Sequence, residues 1–276
     1  MFNQLLKNSI SEEIHKRLEE LNISQHGIFT REFSRLYIGN EFCQNLLPEA
    51  GQLVEFIQKA GNEGFNITIC YPYLKESYID SCTDMLDKIN IYCRESNIKL
   101  EITINDWGLL QLVSNKFPYL SPVLGRLLNK RKKDPRDEWK WKVEAYEDSM
   151  EENHLNEEKV NAFYKKYGIS RYEYEVHNYY NKIAEGNHSL HFPFYQMVTS
   201  MYCHLFNSCT NLKGSGTKSI KQCQRYCSEM VYLYPSHLST IGKGNSIFGF
   251  SDVLFKQPDI LEKYIKSGID RLIFTA

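Results

Sequence analysis

The stretch CQRYC, residues 223–227, holds two cysteines, Cys223 and Cys227, with three residues between them. Such a pair can form a disulfide, bind a metal or pack. The chain has eight cysteines in all. Cys70 lies in a strand-like run, and Cys82 and Cys93 lie in helical ones, where a free thiol behaves as a small buried hydrophobe. The other five stand differently. Cys43 follows RLYIGNEF, Cys203 and Cys209 follow SLHFPF and YQMVTSMY, and the CQRYC pair follows the Gly/Ser/Lys-rich stretch NLKGSGTKSIK. Four thiolates converging there would select zinc or an iron–sulfur cluster. One C-x3-C pair is a poor match to the two C-x2-C pairs of a structural zinc site, so spacing alone leaves metal binding open.

Polar residues at the ends of expected strands could line a substrate pocket: Asn105 and Asp106, Arg126 and Asn129, Glu175 and His177, His191 and Tyr195. Each also has a structural role open to it. Asn105-Asp106 can cap a helix beginning at Trp107. Arg126 can pair with an interior carboxylate. His191 alternates with Leu190 and Phe192 and can be an interior histidine. The chain has no Gly-x-Ser-x-Gly elbow and no His-Glu-x-x-His. A four-thiolate site keeps no open position for an activated water, which argues against proteolysis. The basic run NKRKKDPR, residues 129–136, is expected to be a solvated face rather than a phosphate contact, so nucleic acid is not an expected partner. GSGTKS, residues 214–219, does not match a P-loop.

These residues need a scaffold. The chain has 276 residues, 42% apolar and 24% charged, with a net charge of −1. That charge exerts no global pull toward nucleic acid or membrane. Acids in the first twenty residues argue against a signal peptide, and no apolar run approaches the roughly 20 residues of a membrane span. A cytoplasmic location is expected, where structural disulfides are rare. Strands are expected at 28–30, 35–39, 66–72, 100–106, 119–125, 172–177, 189–194 and 270–275. Helical faces fall between them: Leu53, Phe56, Ile57 and Ala60; Leu86, Ile89 and Cys93; Leu109, Leu110 and Val113; Leu261, Tyr264 and Ile265. This alternation predicts an α/β fold over residues 1–276, a (β/α)8-type, TIM-like barrel of irregular form. In a barrel the strand C-termini, and the loops after them, share one face. Two additions stand out. Residues 9–23 form an amphipathic helix with a Ser9–Glu12 capping box. Residues 136–167 form a charged helical insert, with Trp139, Val143, Val160, Phe163, Tyr164 and Tyr167 as its apolar positions and Gly168 as its stop, expected to pack on the chain's own fold.

RLYIGNEFCQNLLPEAGQLVEFIQKAGNEGFNITICYPYL resembles the opening of the collagenase-like (U-thirty-two) peptidase family. EITINDWGLLQLV, PVLGRLLNKRK, RYEYEVH, SLHFPFYQMVTSMYC and GIDRLIF resemble its later strands, over roughly residues 30–130 and 168–276. The resemblance extends to the single-domain, peptidase-like accessory proteins of oxygen-independent ubiquinone hydroxylation. It implies a [4Fe-4S] cluster, with zinc as the alternative, on Cys43, Cys203, Cys223 and Cys227. It also implies redox or hydroxylation chemistry on a small molecule, as an enzyme or accessory subunit, with a second peptidase-like subunit as partner. The alternatives are a non-catalytic scaffold with a structural four-cysteine site, and an RNA-modifying enzyme contacting phosphate through Lys130, Arg131, Lys132 and Lys133. Cys209 has no counterpart in that pattern, and the 136–167 insert is foreign to it.

Overall fold

The computed structural model describes residues 2–29, 32–131, 133, 150–210 and 223–275, with side chains from Leu5 onward. β1 (Arg35–Gly39), β2 (Asn66–Cys70), β3 (Leu100–Ile104) and β4 (Leu120–Leu124) pair in parallel, in that order. β5 (Glu173–Glu175), β6 (His188–Phe192) and β11 (Ile269–Phe274) form a second parallel sheet, in the order β11-β6-β5. A single parallel bridge, Leu124 to Tyr172, links the two. The architecture is mixed α/β with parallel sheets. Among the described residues no ladder joins β11 to β1, so a closed barrel is not seen. Side chains of the two sheets nevertheless meet. Arg271 donates to Glu101 at 2.7 and 3.1 Å, and the Tyr37 hydroxyl donates to Glu173 at 3.0 Å.

Two strand expectations need correction. Gly27–Phe29 is a short 3-10 turn, not a strand. Its apolar character serves packing, since the Phe29 ring lies 5.0 Å from Phe274 and 6.2 Å from Phe192. The run at 189–194 is interrupted at Pro193, which has no N–H to give a ladder. β6 stops at Phe192, and β7 (Phe194–Thr199) starts a third sheet. This sheet is antiparallel and was not anticipated: β7 pairs with β10 (Ser246–Phe250), then β9 (Thr240–Lys243), then β8 (Tyr232–Leu233).

The helices Ala50–Asn62, Ile79–Glu95 and Trp107–Lys116 bury the expected faces. In Pro258–Lys266, Tyr264 is buried but Ile265 is exposed. The N-terminal amphipathic helix spans Ile10–Glu20 and buries Ile10 and Leu18. Its capping box does not form, since Ser9 makes no side-chain cap bond; Glu63 Oε2 instead satisfies the first helical N–H, that of Ile10, at 2.8 Å. In the insert, Trp139 and Val143 lie outside the described residues. Met150, Leu155 and Tyr164 sink into the chain's own core, and helix Glu158–Lys166 is followed by Gly168 at φ +76°. Cys70, Cys82 and Cys93 are buried as expected. Among the described residues no helix is long and apolar enough to cross a membrane.

Candidate functional site: a cysteine rim above a buried ion network

β1 ends at Gly39, φ +113°, where a Cβ would lie 2.3 Å from the Cys70 carbonyl oxygen, so only glycine fits. The chain turns there, with Asn40 Oδ1 accepting the N–H groups of Phe42 at 2.9 Å and Cys43 at 2.8 Å. Such local bonds are how asparagine builds turns. The turn leaves Glu41 buried and Cys43 half-buried.

Asn245 ties this loop to the one that leads to Cys203. Its Nδ2 donates to the Phe42 carbonyl at 2.7 Å and the Ser200 carbonyl at 2.8 Å. Cys43 and Cys203 line one small cleft with Tyr73 and Asn245. Cys203 packs with Cys227 and Leu205, with Cys209 at the margin. At Gly244 a Cβ would stand 3.6 Å from Cys227 Sγ. Backbone N–H groups of Phe206 and Arg225 approach the sulfurs of Cys203 and Cys223 at 3.3 and 3.4 Å, the second from a left-handed Arg225. Burial, then the neighbouring thiols of Cys223, Cys227 and Cys203, push Cys43 up to about 11. Burial likewise raises Cys203 and Cys227. The four expected cysteines thus come from three separate segments to one rim, all as free thiols. Among the described residues no three or more His, Cys, Asp or Glu side chains stand in a ready metal-holding arrangement. The donor chemistry, four soft sulfurs with two sulfur-directed N–H groups, suits zinc or an iron–sulfur cluster.

Behind the Phe42 ring lies the second feature. The Arg126 guanidinium sits 4.7 Å from that ring's centroid. Its Nε donates to Glu41 Oε2 at 2.6 Å and its Nη1 to Glu175 Oε1 at 3.4 Å. Lys133 Nζ also bonds Glu175, and the Gln196 N–H donates to the same carboxylate at 2.6 Å. Burial opposes the charge of Glu175, but Lys133 and Arg126 outweigh it and hold its pKa below the usual value. Asn105 braces the wall of this chamber. Its Nδ2 donates to the Tyr71 carbonyl at 2.7 Å, and its Oδ1 accepts the Leu127 N–H at 3.0 Å. The His177 ring lies 4.5 Å from Tyr195, and burial, then Arg131 and Lys133, lower its pKa to about 3.

Arg126, Glu175, Asn105, His177 and Tyr195 therefore gather in one chamber. Asp106 does not join them. It caps helix Trp107–Lys116 by accepting the Leu109 N–H at 2.7 Å, and it also accepts the Leu74 N–H at 3.0 Å. His191 lies in the layer between the sheets, with Nε2 2.8 Å from Glu173. Burial lowers His191 to about 3 and raises Glu173 to about 7, so the contact joins a neutral imidazole to a carboxyl group that holds its proton up to about pH 7, and is not an ion pair. Asn129 donates to the Glu173 carbonyl at 3.1 Å.

Glu41, Gln196 and Asn245 were not foreseen as site residues, and Arg131 and Lys133 were expected only as phosphate contacts of the RNA-modifying alternative. Glu41 had a signal, lying between a strand-ending glycine and a candidate ligand. The basic run 129–136 is not the solvated face expected. Lys130 is exposed, but Arg131 and Lys133 turn inward, and the remainder of the run lies outside the described residues. The loop at 214–219 also lies outside them. Compared with family models, curated proteins and solved structures, the chain matches none.

Proposed function

We propose that this chain is an irregular barrel protein that holds one [4Fe-4S] cluster on Cys43, Cys203, Cys223 and Cys227 and serves oxygen-independent hydroxylation, or a related redox change, of a small molecule. One observation carries the reading: four free thiols from three segments share one rim, each outside regular sheet structure. The rim lies beyond the C-terminal end of β1, the end of a parallel strand at which barrel enzymes build their sites, and its second segment follows β7 of the antiparallel sheet. The contacts between Arg271 and Glu101, and between Tyr37 and Glu173, support a barrel-like interior. When bound, such a cluster supplies one-electron transfer, with its potential tuned by burial and by N–H bonds to sulfur. The residues of this chain shield it with Phe42, hold the Cys43 and Cys203 loops together through Asn245, and place a charged chamber behind it. A second peptidase-like subunit is the proposed partner, on the resemblance alone.

The protein is to be purified without oxygen and assayed for iron, sulfide and zinc, with its visible spectrum recorded. About four irons and four sulfides, with a brown chromophore bleached in Cys43→Ala, are expected. A colourless protein with one zinc would replace this reading with a structural staple. Absence of both would remove the metal site.

A further inference from the structure

Among the described residues, two side chains of the chamber behind Phe42 keep hydrogen-bonding atoms idle. Arg131 Nη2 donates to the Met150 carbonyl at 3.1 Å, but its Nε and Nη1 are buried with no partner among the described residues. His177 is 3% exposed, and its Nε2 is also without a partner among the described residues. The Tyr179 N–H donates to His177 Nδ1 at 3.4 Å. A neutral imidazole that accepts at Nδ1 carries its proton at Nε2, so the unpartnered atom is a donor. Arg131 is an electrostatic neighbour of His177, Lys133, Glu175 and Tyr195, and the His177 ring packs against Tyr195.

The charges are uneven as well. Arg126, Arg131 and Lys133 meet the two buried carboxylates Glu41 and Glu175, and both of those are already engaged by Arg126 and Lys133. Glu151 lies near Arg131, but its side chain reaches toward Lys263 at 3.8 Å and is partly exposed. A buried guanidinium with two idle N–H groups is costly unless an acceptor meets it, and the Arg fork suits two oxygens of one anion.

We propose that Arg131 and His177 form a binding site for an oxyanion, the carboxylate or phosphate group of a small-molecule ligand. Arg131 Nε and Nη1 grip two oxygens, and His177 Nε2 donates to one of them. Lys133 supplies charge from its place on Glu175. The site is independent of what the cysteines hold, because none of its donors comes from the rim.

The test is calorimetric titration of the protein, in a chloride buffer free of oxyanions, with inorganic phosphate and separately with acetate. Saturable one-to-one binding of at least one probe is expected. Arg131→Lys keeps the charge but loses the fork and is expected to weaken binding at least tenfold, His177→Phe severalfold, and the exposed neighbour Lys130→Gln not at all. The probe that binds more tightly tells a phosphate ligand from a carboxylate. Circular dichroism checks that each variant is folded. If Arg131→Lys does not fold, His177→Phe and the wild-type titration decide. No saturable binding of either probe at tens of millimolar, or binding unchanged in the folded variants, would overturn the proposal.

Discussion

Arg126 is the side chain on which the chamber depends. Its side chain is 6% exposed, and it holds Glu41, 1% exposed, and Glu175, 4% exposed. Burying three charges is tolerable only while they face one another, and removing one partner strands the rest. Arg126→Met is therefore expected to lower the unfolding free energy by about 3–5 kcal/mol, read from urea denaturation. The double change Glu41→Gln with Arg126→Met removes the stranded carboxylate that Arg126 bonds most closely, and should recover much of that loss. If it is no more stable than the single variant, the cost came from lost packing on Phe42 and not from charge.

At the scale of elements, Asp106 shows how one residue joins two of them. It caps helix Trp107–Lys116 and takes the Leu74 N–H from the loop after β2. Asp106→Ala should cost about 1–2 kcal/mol in thermal unfolding, and Asp106→Asn clearly less, because the amide oxygen still accepts. That cap was legible in the sequence, as were the parallel strands and the helical faces between them, because their periods are long enough to count. The antiparallel sheet was not. β8 has two residues and β9 four, too short for a period, and the Gly244-Asn245 turn between β9 and β10 was the one signal present. The inward turn of Arg131 and Lys133 was equally hidden. A run of basic residues reads as surface unless one knows that Glu175 lies beneath it. The cysteine grouping was legible from loop positions and resemblance, whereas its brace, Asn245, depends on contacts to Phe42 and Ser200 far away in sequence.

Across the whole molecule, buried ionisable groups set the response to pH. His177 and His191 are lowered to about 3 and His188 to about 4, each chiefly by burial, while burial raises Glu173 to about 7. Below the ordinary histidine value of 6.5, the unfolded chain takes up three protons that the folded chain refuses, so these groups remove stability as pH falls. Glu173 acts in the opposite sense. Between its ordinary 4.5 and about 7, the folded protein keeps a proton that the unfolded chain has released, which removes stability as pH rises. The histidines win by roughly two protons near pH 5, so stability there should climb by about 3 kcal/mol per pH unit and level off near pH 7. Below pH 4.5, Glu101 and Glu175, both held below the usual carboxylate value, steepen the acid side. Urea midpoints at pH 5, 6 and 7 measure the slope, and His177→Gln should flatten it by about one proton. A slope near zero over that range would mean that the three imidazoles take up protons inside the fold. The neutral His191–Glu173 contact and the donor assignment at His177 Nε2 would then both have to be given up.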